Sequence, residues 1–216
     1  MNIYPKNKIP VAEVKKFIII LYVIGILGFA IPSSRDFFST ITPLTLLVSI
    51  YLLIVYHRTF TIQTILAFTL IFIMGFLLEA IGVKTGLVFG EYTYGNTLGI
   101  KLFDTPLLIG LNWLFLTYTS ISVIRQLKIK EGIIIILAPM LMLIYDIVME
   151  QIAPLIDMWN WQNSKIPLKN YLAWYVLGVC FVGIFKFFKI NTRNPIATIL
   201  IAGQFVFFLI LLILLK

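Results

Sequence analysis

Three carboxylates close a strongly apolar run. Asp146, Glu150 and Asp157 lie in YDIVMEQIAPLIDMWNW, residues 145–161, and are followed at once by Trp159 and Trp161. Asp146 and Glu150 are four residues apart, so on a helix they share one face. A carboxylate in or near hydrocarbon costs about 2.5 to 3.5 kcal/mol on insertion scales, which makes an acid kept there a candidate for function. Another acid, Glu79, ends a separate apolar run, and Tyr92, Tyr94, Asn112, Trp113, Asn170, Tyr171 and Trp174 stand near these acids or in the segments joining them. Carboxyl groups beside aromatic faces, without metal or phosphate machinery, point to acid chemistry on a greasy substrate. A buried carboxyl group with a carboxylate neighbour can stay protonated near neutrality and donate to a weakly basic carbon. A cation formed there gains about 2 kcal/mol or more from each desolvated contact with an indole or phenol face. A second carboxylate can orient or deprotonate water. Protonating an alkene and trapping the cation with water is a hydration.

The same residues allow plainer roles. Acids at helix ends also hold neighbouring helices or basic residues such as Lys84 and Lys165. Tyrosines and tryptophans near span ends also form interfacial belts, and the glycines of 82–104 permit tight turns. Within that segment GLVFG and YTYG lack the strand-to-helix context and the lysine with serine or threonine that a phosphate loop requires.

Composition decides what holds these groups. The chain has 216 residues, 61% hydrophobic and 12% charged, with mean hydropathy +1.03. One soluble core of this length cannot hide so much apolar surface, so the expected fold is an all-α integral membrane protein, a bundle of about seven transmembrane helices in one domain over 1–216. Apolar runs near the length of a span fall at about 16–31, 43–56, 61–81, 105–124, 132–150, 171–188 and 195–215, the second being short. Residues 1–16 do not read as a signal peptide, because no small-residue cleavage site follows the first run. The net charge of +8 is carried by short connections between spans and is not a nucleic-acid footprint. With the N-terminus inside, eleven basic residues are cytoplasmic and six are outside, which favours that orientation in the cell membrane. Segments 82–104 and 151–170 then share the non-cytoplasmic side, and Glu79, Asp146 and Glu150 sit at the span ends that feed them. The single cysteine, Cys180, excludes a disulfide framework and a cysteine metal site. The single histidine, His57, beside Arg58 at a helix end, reads as interfacial.

At these residues the chain resembles the carotenoid biosynthesis hydratases of the bisanhydrobacterioruberin hydratase and carotenoid 1,2-hydratase type. One signature joins Glu79, Gly82, Thr85-Gly86, Phe89-Gly90, Tyr92 and Tyr94, continuing to Leu98-Gly99, Pro106 and Trp113. The second joins Asp146, Glu150, Ala153, Asp157, Trp159, Trp161, Ile166-Pro167-Leu168, Asn170-Tyr171 and Trp174. Gln151 departs from the pattern, which has proline there; here the proline is Pro154. The resemblance implies addition of water across the terminal isopropylidene double bond of an acyclic carotenoid, giving a tertiary alcohol with no cofactor and no metal. By the same resemblance Asp146 and Glu150 form the acid/base pair with Glu79 as their partner. Asp157, Tyr92 and Tyr94 complete the pocket, and Trp113, Trp159 and Trp161 line it. Asn112 and Asn170, which stand beside the acids, are further substrate-binding candidates. The implied partners are a lipophilic polyene, the bilayer and other enzymes of the pathway.

Three rival readings use the same features. Lycopene-type cyclisation begins with the same protonation. An intramembrane prenyltransferase would hold Mg²⁺ on acid repeats, but the next register position after Glu150 is Pro154 and no second aspartate-rich motif occurs. A transporter or retinal photoreceptor would need internal repeats or a lysine inside the seventh span, where only Lys216 at the terminus is found.

Overall fold

The structure, a computed structural model, describes residues 4–6 and 8–216. Among these residues seven α-helices form the expected bundle: α1 (Val11–Ala30), α2 (Arg35–Val55), α3 (Ile62–Thr85), α4 (Leu108–Arg125), α5 (Glu131–Ile152), α6 (Leu168–Phe187) and α7 (Ala197–Leu215). Six of them, α2 to α7, are long and apolar enough to cross a membrane. α1 carries Glu13, Lys15 and Lys16 in its first two turns and is not among the six.

α4 is the centre of the bundle. Its Trp113, Phe115, Leu116, Thr117, Thr119 and Ser120 are fully buried, whereas α1, α3 and α6 turn isoleucines and leucines such as Ile20, Ile65 and Leu172 outward. Two threonine hydroxyls on α4 are satisfied within the helix: Thr117 donates to the Trp113 carbonyl at 2.8 Å and Thr119 to the Phe115 carbonyl at 2.6 Å. Such bonding one turn back lets a hydroxyl sit in an apolar core without another partner.

Helix boundaries depart from expectation where local chemistry overrides hydropathy. α2 begins at Arg35, well before Pro43, which lies inside it. Ser34 donates to the Gly28 carbonyl at 2.6 Å and Arg35 Nε to the Phe29 carbonyl at 2.9 Å, anchoring the start of α2 to the end of α1. α3 runs past the expected 81 to Thr85 and closes on Gly86, whose φ of 65° is the left-handed cap that glycine takes freely. Glu79 therefore stands inside the helix and not in its last turn. α5 ends at Ile152 and passes into a 3₁₀ turn, Ala153–Ile156. Pro154 has no N–H to give the Glu150 carbonyl, so the α pattern stops there.

One end of the bundle carries an antiparallel ribbon that the all-α expectation omits. β1 (Tyr92–Tyr94) pairs with β4 (Trp159–Trp161), with Tyr92 opposite Trp161 and Tyr94 opposite Trp159. Side chains alternate across a strand, so these four aromatics turn inward while Thr93 and Asn160 face out. A smaller pairing of β2 (Lys101–Leu102) with β3 (Thr105–Pro106) delays the start of α4 from the expected 105 to Leu108.

Candidate active site

The ribbon lies against three acids held by α3 and α5. Glu79, Asp146 and Glu150 are 3%, 0% and 3% exposed. Among the described residues the ion pairs are Lys16–Glu13 and Arg125–Glu131, so no lysine or arginine pairs with these acids. Their partners are neutral donors. Glu79 Oε2 accepts from the Tyr92 hydroxyl at 2.5 Å and the Tyr94 hydroxyl at 2.8 Å, and its Oε1 accepts from Trp113 Nε1 at 3.0 Å. Glu150 Oε2 accepts from Trp159 Nε1 at 3.0 Å and from Trp161 Nε1, and its Oε1 accepts from Asn170 Nδ2 at 2.9 Å. The same Asn170 nitrogen reaches Asp146 Oδ2 at 3.2 Å. Asp146 Oδ1 is buried with no hydrogen-bond partner among the described residues.

Burial, followed by the charge of Glu79, raises Tyr92 and Tyr94 well above the ordinary phenol range, so both keep the protons they donate. Close approach of the helices puts Trp113 on Glu79. A methyl group at Gly75 on α3 would lie 2.9 Å from Trp113 Cβ, so only glycine lets α4 bring that indole in. Trp113 also stacks on Trp174 of α6, with ring centroids 4.1 Å apart.

Two spaces meet at this cluster. An apolar cavity of about 120 Å³ runs between α1, α2 and α7 to Asp146, with Asn112, Tyr145 and Gln204 among its other polar walls. An engineered apolar cavity of about 150 Å³ takes up benzene, so this one has room for a small apolar group. A second space of about 20 Å³ is bordered by Glu79, Glu150, Tyr92, Tyr94 and Asn170. A single water needs about 10 to 15 Å³ on this measure. Ile109, Trp159 and Trp174 line both spaces and so stand between them.

Of the residues singled out in the sequence, Glu79, Asp146, Glu150, Tyr92, Tyr94, Trp113, Trp159, Trp161 and Asn170 come together in this cluster. Asn112 is half-buried in the wall of the larger cavity. Asp157 does not join them. It is exposed, adopts a left-handed φ of 54°, and its Oδ2 accepts from the Asn96 N–H at 2.9 Å. That carboxylate pins the loop after β1, in place of the pocket role expected for it. His57 is not interfacial either: it is 1% exposed, bonded through Nδ1 to the Tyr118 hydroxyl at 2.9 Å, and burial lowers its affinity for a proton. Tyr145 and Gln204 are additions. Gln204 Nε2 donates to the Tyr145 oxygen at 2.7 Å in the larger cavity, beside Asp146. An amide in the middle of the most apolar helix, α7, was the available signal.

Comparison with known proteins follows this geometry. The family model described as "Carotenoid biosynthesis protein" matches residues 40–215, which takes in α3 to α7, both ribbon strands and every residue of the cluster. No curated protein matches, and no solved structure does.

Proposed function

The chain belongs to the carotenoid biosynthesis protein family, and on that premise we propose that it adds water to the terminal isopropylidene double bond of an acyclic carotenoid. The observation that carries this reading is the division of the acids between two spaces: Asp146 borders the large apolar cavity and the two glutamates border the water-sized one. The greasy end enters the larger cavity. Asp146, with its free Oδ1, gives a proton to the CH carbon of the double bond, leaving a tertiary cation on the dimethyl carbon. Trp159 and Trp174 face that position from between the two spaces, and indole faces stabilise cations.

Water held between Glu79 and Glu150 attacks the cation, and the oxonium proton passes to Glu150. The C=C π bond is lost, one C–H and one C–O bond form, and the proton given by Asp146 is returned to the acid cluster. Asn170, bonded to both Asp146 and Glu150, keeps donor and acceptor in one frame. Glu79 accepts three hydrogen bonds from tyrosine and tryptophan, as many as Glu150 accepts, but has no bond to Asn170, and it serves to orient the water. General acid–base catalysis of this kind contributes about 10² to 10⁴ in rate.

Ring closure of the same cation would make the protein a cyclase, and the water-sized space beside the acids favours capture by solvent over closure. With the N-terminus on the cytoplasmic side of the cell membrane, the cluster lies toward the opposite face. Expression in a bacterial host that accumulates lycopene, with mass analysis of the pigments, tests the reaction. A product heavier by one water per reacted end supports hydration, an isomer of unchanged mass shows cyclisation, and unaltered lycopene removes both for that substrate.

A further inference from the structure

The end of the bundle opposite the acids holds a second, chemically different recess. It has a volume of about 1280 Å³ and is lined by Lys6, Lys15, Arg58, Arg125, Lys128 and Arg193, with no acid among the described residues in its wall. Basic residues that only orient a span can lie anywhere along the water interface. These six instead come from the segment before α1, the start of α1, the α2–α3 turn, the end of α4, the α4–α5 turn and the segment before α7, and they surround one space.

Two buried polar atoms point to an anion there. Tyr56, in the wall of the recess and 5% exposed, has a hydroxyl with no partner among the described residues. Burial raises its pKa, so it remains a donor. Arg125 is the second. Its Nη1 donates to the Ile190 carbonyl and to Thr192 Oγ1, both at 3.0 Å, and its Nη2 reaches Glu131 at 3.2 Å. Its Nε is buried and unpartnered. Thr198 and Ile199, in the first turn of α7, also border the space, and the peptide N–H groups of a helix start favour negative charge.

We propose that this recess binds the phosphate of an anionic phospholipid headgroup. Lysines and arginines supply the charge, the Tyr56 hydroxyl supplies a directed hydrogen bond, and the acyl chains continue along the apolar outer faces of the helices. Basic pockets between transmembrane helices take such headgroups. The same chemistry would accept a free phosphate, and the test separates the two.

The protein is purified in detergent, stripped of lipid, and titrated with phosphatidylglycerol, phosphatidylcholine or inorganic phosphate while bound lipid is counted by native mass spectrometry. Phosphatidylglycerol binds in preference to phosphatidylcholine, and millimolar inorganic phosphate does not displace it. Removing Arg58, Lys128 and Arg193 together as glutamines weakens it about a hundredfold, about fivefold per cation. All three side chains are exposed, so folding is not at stake. Tyr56→Phe weakens it about tenfold. Equal binding of both lipids, or an unchanged affinity in the triple variant, overturns the site. Displacement by inorganic phosphate makes the ligand a soluble phosphate and overturns the lipid assignment. None of these readouts depends on hydration at the other end.

Discussion

Tyr92 and Trp161 face each other across the ribbon, ring centroids 5.0 Å apart, and each holds a different glutamate. Tyr92 donates to Glu79 on α3, and Trp161 donates to Glu150 on α5. The register of one short ribbon therefore sets the distance between two acids on separate helices. It does so without a cation, so the acids keep lone pairs that a salt bridge would have occupied.

Asp146→Asn removes the proposed proton donor and keeps its shape and its bond with Asn170. Hydration falls by about 10² to 10⁴ while the protein remains folded in detergent. Glu150→Gln has the same effect on product. In D₂O the active protein places one non-exchanging deuterium on the carbon next to the new carbinol. Normal hydration by both variants would end the acid/base assignment.

Among the described residues Asn170 is the one side chain hydrogen-bonded to both Asp146 and Glu150. Asn170→Ala leaves two buried carboxyl groups short of a donor, at a cost of about 1 to 3 kcal/mol each. The expected result is a lower unfolding temperature together with loss of product. Asn170→Gln, with the same amide on a longer arm, recovers part of the stability but little activity, because the bridge is displaced.

Much of this site was legible in the sequence because its chemistry conflicts with its surroundings. Acids in apolar runs announce themselves, and the spacing of Asp146 and Glu150 places them on one helical face. Their aromatic partners were visible as types, in Y-x-Y and W-x-W. That these two triplets pair was not, since three-residue strands about 65 positions apart carry too little alternation to fix a register. The start of α2 was misplaced because Pro43 reads as a boundary, while side-chain bonds from Ser34 and Arg35 to the end of α1 carry the helix past it. Asp157 shared its neighbours' sequence context, and only the backbone turn at φ 54° shows it facing the Asn96 N–H and not the cavity.

Alkaline pH tests the Glu79 end. Burial and the Glu79 charge raise Tyr92 and Tyr94 in the folded state, while the unfolded phenols titrate near pH 10. The folded state thus resists losing these protons. Its stabilisation is complete below about pH 10 and is lost as pH rises above that toward the folded values. Tyr92→Phe/Tyr94→Phe removes this term, so the double variant loses less stability than the parent between about pH 10 and 12, although it is weaker at neutrality. Parallel denaturation curves for the two proteins across that range would contradict the assignment.

Gly75 sets how closely α3 and α4 meet. A methyl group there would lie 2.9 Å from Trp113 Cβ, which is part of the rigid root of the side chain and cannot swing aside. Gly75→Ala therefore pushes the helices apart at a cost of about 1 to 3 kcal/mol, beyond any gain in helix propensity. The shift also lengthens the 3.0 Å bond from Trp113 Nε1 to Glu79. Unfolding temperature and tryptophan fluorescence report the two effects separately: the first falls, and the second changes as Trp113 leaves both the carboxylate and the Trp174 stack. Gly183, with nothing within 4 Å of an added methyl group, is the control, and Gly183→Ala leaves both readings near those of the parent.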